Sequence, residues 1–208
     1  MNRQNFANCV KKASTVIRDG GVIIYPTDTL YGLGADALSD EAVAKIYSIK
    51  KREGGKPIHA IVADLDDAMK YAQMNDVARK LSEEFFPGPL TLILKKRWGI
   101  GTGIVKDIST IGIRIPNNQF CLALAHEFGK PITTTSANKS GEKPERSVEK
   151  IITQLGKSCR LIDFAIDAGE LGASEPSTIV DVSSGKAVIL REGAIPVAEV
   201  WDTLATIL

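Results

Sequence analysis

Residues Tyr25-Pro-Thr-Asp-Thr-Leu-Tyr-Gly-Leu-Gly-Ala-Asp36 follow the short apolar run Val22-Ile23-Ile24 and precede a helical pattern. The stretch reads as a strand-to-helix passage, the connection found at the mouth of an α/β sheet, where ligands bind in the crevice outside the strand ends. Thr27, Asp28 and Thr29 supply short polar groups, Leu30 and Leu33 read as packing, and Gly32 and Gly34 read as backbone geometry. An ordinary turn has the same composition, so the weight of this stretch depends on its partners elsewhere.

Working outward, β-prone runs alternate with helical periodicities. Phe6, Val10, Ala13 and Ile17 recur at helical spacing between about Asn5 and Asp19, stopped by Gly20-Gly21. Ser39 is a good N-cap for a second helix carrying Val43, Ile46 and Ile49, and Asp40 and Glu41 suit the positive end of its dipole. Ile58–Val62 reads as a buried strand, followed by one or two helices up to Phe86, where Pro87-Gly88-Pro89 ends them. Leu90–Leu94, Ile111–Ile115 and Pro131–Thr134 read as strands, and Asn117 to Phe128 and Ser147 to Leu155 as helices. A strand near Leu161 follows, then Thr178–Val182 and Ala187–Leu190, which flank the hairpin turn Ser183-Ser184-Gly185-Lys186. The tail from Pro196 is helical in pattern. With no repeat or linker, the expectation is one α/β domain over residues 1–208 with a mixed sheet.

A chain of 208 residues can bury a core without staples. The net charge of +1 argues against a dedicated nucleic-acid coat, although a local basic groove is compatible with a neutral total. Cys9, Cys121 and Cys159 are odd in number and share no C-x-x-C spacing, which disfavours a zinc site or disulfide framework and fits a reducing compartment. No apolar run approaches the ~20 residues that span a bilayer, and the N-terminus lacks a signal-like core. A cytoplasmic protein is expected.

The chemistry-bearing residues sit at strand ends. There is no Walker A loop, no G-x-S-x-G elbow and no H-E-x-x-H. His59, in a strand pattern, and His126, on a helix, read as structural. Lys50 and Arg52 end a helix; residues two apart point to nearly opposite sides of a helix, so both can serve one anion only if the helix unwinds at about Lys51. A solvated basic helix end is the alternative. In Ile111-Gly-Ile-Arg-Ile-Pro116, alternation sets Gly112 and Arg114 opposite the isoleucines, which implies an anionic partner for Arg114: a carboxylate of the fold or a ligand phosphate. Ser136, Asn138 and Ser140 with Gly141 form a loop of short donors suited to phosphate or carboxylate, or to an Asx-type turn. Ser177-Thr178 and Arg191-Glu192-Gly193 repeat the theme. Together these groups describe a polar, cationic crevice for a phosphorylated ligand.

Those segments resemble the YrdC/TsaC family of threonylcarbamoyl-AMP synthases. The resemblance is carried by Tyr25 to Gly34, Lys50-Lys-Arg52 with Lys56-Pro57, Pro87 to Leu94, Ile113-Arg-Ile-Pro116, Thr134-Thr-Ser-Ala-Asn138 with Ser140-Gly141, Pro176 to Asp181, and Arg191-Glu-Gly193. It runs from about residue 10 to 195 in family order. It implies an open, twisted α/β sheet flanked by helices, with a concave cavity, in a single-domain branch. It further implies a nucleotidyltransferase that makes threonylcarbamoyl-AMP and pyrophosphate from L-threonine, bicarbonate or CO2, and ATP with Mg²⁺. That product feeds threonylcarbamoyladenosine formation on tRNA through a partner transferase complex, and the resemblance is compatible with direct tRNA contact.

By the same resemblance, Lys50 and Arg52 face the nucleotide phosphates and are the catalytic pair. Ser136, Asn138 and Arg191 belong to the nucleotide site, joined there by Arg114, and Thr27 and Ser177 lie near the threonine. No metal-ligating residue is carried over. Glu53 replaces the proline that usually follows the arginine, and the histidine some relatives carry after K-P corresponds to Ile61 rather than His59. The competing expectation is an RNA-binding protein of the same fold without adenylate-forming activity.

Overall fold

The computed structural model describes residues 3–52 and 57–205, so Glu53 and Lys56 lie outside the described residues. Helix α1 (Arg3–Arg18) leads into β1 (Ile23–Pro26) and β2 (Tyr31–Gly34), followed by α2 (Asp40–Lys50), β3 (His59–Ile61), α3 (Leu65–Tyr71) and α4 (Asp76–Phe85). Next come β4 (Leu90–Lys95), β5 (Thr110–Arg114), α5 (Gln119–Phe128), β6 (Ile132–Ser136) and α6 (Val148–Leu155). β7 (Phe164–Ala165), β8 (Thr178–Asp181), β9 (Val188–Arg191) and α7 (Val197–Leu204) complete the order. The helix starts follow local chemistry: Ser39, Asp64, Asn75, Asn118 and Ser147 each accept a backbone N–H of the first turn. No helix among the described residues is long and apolar enough to cross a membrane.

The strands form one open, mixed sheet in the order β7-β1-β2-β6-β3-β5-β4-β8-β9. β1 with β7, β3 with β5 and β4 with β8 are parallel, and the other neighbours are antiparallel.

The opening stretch differs from its expectation. It does not pass from strand to helix: Tyr31–Gly34 is a second strand, paired antiparallel with β1 through Ile23–Gly34 and Tyr25–Gly32, and residues 27–30 are the turn between them. Two glycines in four residues mask the strand pattern, because glycine offers no side chain to pack. The structure shows why they stand there. The buried Tyr25 ring lies across the strand, and a Cβ at Gly34 would sit 2.8 Å from its Cε1.

Alternation along the strands divides the core in two. On one face Ile24, Leu33, Ala60, Leu92, Ile113 and Val180 pack with α2, α4, α6 and α7. On the other, Ile23, Tyr25, Ile61 and Ile132 pack under Val10, Ala13 and Ile17 of α1 and Phe120, Leu124 and Phe128 of α5. Cys121 is fully buried in this second cluster, as a plain thiol should be. Two residues from Ile61 and Ile132 along their strands, His59 and Thr134 occupy the same face but line a cavity instead. The helices α1 and α5 thus cover part of one sheet face and leave the rest concave.

Candidate active site

The cavity measures about 410 Å³, and Thr27, Lys50, Arg52, Arg114, Ser136, Asn138, Ser177 and Arg191 all line it. A volume of this order suits a small-molecule site. These eight residues are therefore brought to one place, from segments as distant as the first hairpin and the last strand.

The β1–β2 turn forms one wall. The Thr27 hydroxyl is buried and organises the turn: it donates to Leu30 O at 2.7 Å and accepts the Thr29 and Leu30 N–H groups at 3.0 and 3.1 Å. Arg114 points from β5 into this turn, donating to Thr29 Oγ1 at 2.9 Å and pairing with Asp28 at 2.5 Å. Their side chains are 6% and 12% exposed, so the ion pair is a buried one. The other Asp28 oxygen accepts the Asn117 N–H at 3.1 Å. Of the two partners open to Arg114, the fold supplies the carboxylate; Asp28 gains a structural role that its sequence position did not reveal.

Lys50, Arg52 and the β6 end form the second wall. Helix α2 does unwind where both cations require it, with Lys51 in the left-handed conformation at φ 48°. The buried Lys50 ammonium donates to Ser136 O at 2.5 Å and to Asn138 O and Oδ1 at 2.9 Å each. Its own carbonyl accepts the Ser140 N–H at 2.8 Å. All three of its N–H donors therefore go to the Ser136–Asn138 loop. In this arrangement Lys50 shapes the loop and at the same time lines the cavity. Burial, reinforced by Arg52, pushes its pKa down to about 7. Arg52 contrasts with it. Its Nη2 donates to Pro57 O and its Nη1 reaches Thr135 Oγ1 at 3.4 Å, while its buried Nε has no partner among the described residues.

Ser177, Thr91 and Arg191 form the third wall. The Ser177 hydroxyl lies 2.9 Å from Thr91 Oγ1, and Arg191 donates from Nη2 and Nε to Ser177 O at 2.7 and 3.1 Å. Gly193 is required here by contact, since a Cβ would fall 2.1 Å from Pro176 O. Burial and the neighbouring Arg114 lower the Arg191 pKa without threatening its charge.

Among the cavity residues that sequence reasoning did not pick out are Thr91 and His59, the latter read as structural. The signal for Thr91 was present, because alternation places it opposite the buried Leu90 and Leu92. For His59 the register of β3 against β6 was needed, which pairs it with Thr134.

This geometry can be set beside known proteins. A family model for Sua5/YciO/YrdC, described as "Telomere recombination", matches residues 15–193. The chain belongs to that family. It is 44% identical over 181 residues to a putative threonylcarbamoyl-AMP synthase of Methanocaldococcus jannaschii, covering 87% of this chain and 84% of that one. The structure of Pyrococcus abyssi Sua5 complexed with L-threonine is similar at a TM-score of 0.87 and 31% identity, over 95% of this chain and 58% of that one. The chain thus spans under two thirds of the Sua5 length. Escherichia coli YciO is similar at a TM-score of 0.81 and 31% identity, over 92% of each chain. The open mixed sheet and the family resemblance agree with these structures.

Proposed function

We propose that the chain is an L-threonylcarbamoyladenylate synthase, a nucleotidyltransferase that converts L-threonine, bicarbonate or CO2, and ATP into threonylcarbamoyl-AMP and pyrophosphate. The observation that carries this reading is the convergence of Arg52, Arg114 and Arg191 on a polar cavity, with the Arg52 Nε buried and unpartnered. A buried donor without an acceptor is costly in an empty site and is satisfied by an anion. The names of the similar proteins support the same reaction and do not favour a chain that only binds RNA. The protein would act in the cytoplasm, its product passing to a transferase complex that modifies tRNA.

The reaction needs no protein nucleophile. The threonine amine takes up CO2 to give a carbamate, whose oxygen attacks the α-phosphorus of ATP while the bond to pyrophosphate breaks. Catalysis then rests on positioning and on neutralising charge on the phosphate oxygens. Mg²⁺ enters with ATP as substrate. Arg52 and Arg191 face the phosphates, with Arg52 holding the departing pyrophosphate. Lys50 fixes the Ser136–Asn138 loop on which the nucleotide rests. Thr27 and Ser177 border the threonine subsite, and Arg114 contributes positive charge while locked to Asp28. A contact to the substrate methyl group selects threonine over serine by only ~1–3 kcal/mol.

The test is threonine-dependent release of pyrophosphate from protein, Mg²⁺-ATP and bicarbonate. The expected result is adenylate formation that requires all three substrates. Pyrophosphate release no greater than in the control without threonine refutes the assignment.

A further inference from the structure

His59 projects from β3 into the cavity floor. Its ring lies so close to Gly112 that a Cβ there would sit 2.4 Å from His59 Cδ2, so β5 carries glycine where the imidazole needs room. No hydrogen bond to either ring nitrogen forms among the described residues. The charged groups facing it are Arg114 of β5, Arg52 beyond α2 and Arg191 of β9, while β6 presents the uncharged Thr134. Of the carboxylates at this site, Asp28 is tied to Arg114 and the Asn117 N–H, and Glu142 lines the cavity from the loop after β6. An imidazole among three guanidinium groups, with both nitrogens free, is held neutral by its surroundings.

A polyphosphate entering between the same three arginines reverses that field. We propose that His59 belongs to the phosphate subsite and binds a proton from solvent as the nucleotide enters, then donates that N–H to a phosphate oxygen. The proposal rests on the assignment of ATP to this cavity. It adds a fourth cationic group, present only in the loaded site, which offsets negative charge developing on the departing pyrophosphate. In the empty site, burial together with Arg191, Arg52 and Arg114 holds the imidazole pKa down to about 4. The free site therefore avoids a fourth buried positive charge.

The chain has only two histidines, so the ring signals of His59 and His126 are separable by NMR, with His126→Gln supplying the assignment. The probe is Mg²⁺-ATP at saturation, with binding verified by calorimetry in the same samples. The expected result is that the titration midpoint of His59 moves up by ~2 pH units or more on ATP binding, to about 6 or above, as replacing nearby like charge by phosphate charge requires. In parallel, His59→Gln, which keeps a polar side chain but cannot take the proton, should weaken ATP binding more at pH 6 than at pH 8 relative to the wild type. If ATP binds and the His59 midpoint stays in place, the proposal is refuted and the function stands. If ATP does not bind the wild-type chain at all, both fall. A pH-independent effect of His59→Gln likewise overturns proton uptake and leaves ordinary packing as the role of the ring.

Discussion

The polar residues of the cavity divide into those that hold one another and those to which the proposed reaction assigns a ligand. Asp28 and Arg114 hold one another. Replacing Asp28 by Ala strands a buried guanidinium and should destabilise the chain by about 3 kcal/mol in urea denaturation, whereas Asp28→Leu with Arg114→Met should recover most of that loss. Equal destabilisation by the double replacement would show that the site depends on the charges themselves. In the proposed reaction Arg52 faces the phosphates, so Arg52→Ala should reduce kcat/KM by ~10²-fold or more with little change in the urea midpoint. Lys50→Met should lower activity as well, but with a loss of stability, because it removes three hydrogen bonds to the Ser136–Asn138 loop. The Lys50 pKa, about 7 against the usual 10.5, sets a sign. Between those values the unfolded chain binds a proton that the folded chain does not, so stability should rise with pH through that window and flatten below it. The difference in unfolding free energy between wild type and Lys50→Met, measured across that window, should therefore grow with pH; a flat difference would mean that the three acceptors keep the ammonium charged.

At the level of elements, close backbone approach does what side chains alone do not. The end of β9, which carries Arg191, packs against the segment that carries Ser177, and Gly193 is the point of contact. Gly193→Ala should displace Arg191 from Ser177 and cut turnover by at least about 10-fold, since the added methyl meets a backbone oxygen that has no easy retreat. The measurement is steady-state turnover with threonine and ATP both saturating, and wild-type turnover would remove the proposed importance of this contact. The β1–β2 hairpin shows the same device, with Tyr25 packed over Gly34. Such contacts escape a reading of periodicity, which registers apolar side chains and treats glycine as an interruption. That is why the hairpin looked like a passage to a helix. The helices were more legible because their caps, such as Ser39, Asn118 and Ser147, act through neighbouring residues.

At the scale of the whole molecule, the sheet order interleaves early and late strands, and the site is assembled across it. β6 lies between β2 and β3, and residues 166–177 carry the chain from β7 at one edge to β8 beside the other. Ligands that bridge these walls should stabilise the fold as a unit: threonine and ATP together should raise Tm by more than the sum of their separate effects, through selective binding to the native state. Additive shifts in differential scanning fluorimetry would indicate two independent subsites. By itself, the sequence determined the α/β class, the helix starts, the face on which Arg114 lies and the segments that carry the chemistry, because each depends on alternation, capping or short motifs within a few residues. Only the tertiary structure decided which groups pair. The claim of Asp28 on Arg114, the capture of Lys50 by the Ser136–Asn138 loop and the entry of His59 into the cavity all depend on strand register and on contacts across long sequence separations. Local pattern carries no information about them, since a buried charge takes whichever partner the fold brings within hydrogen-bond reach.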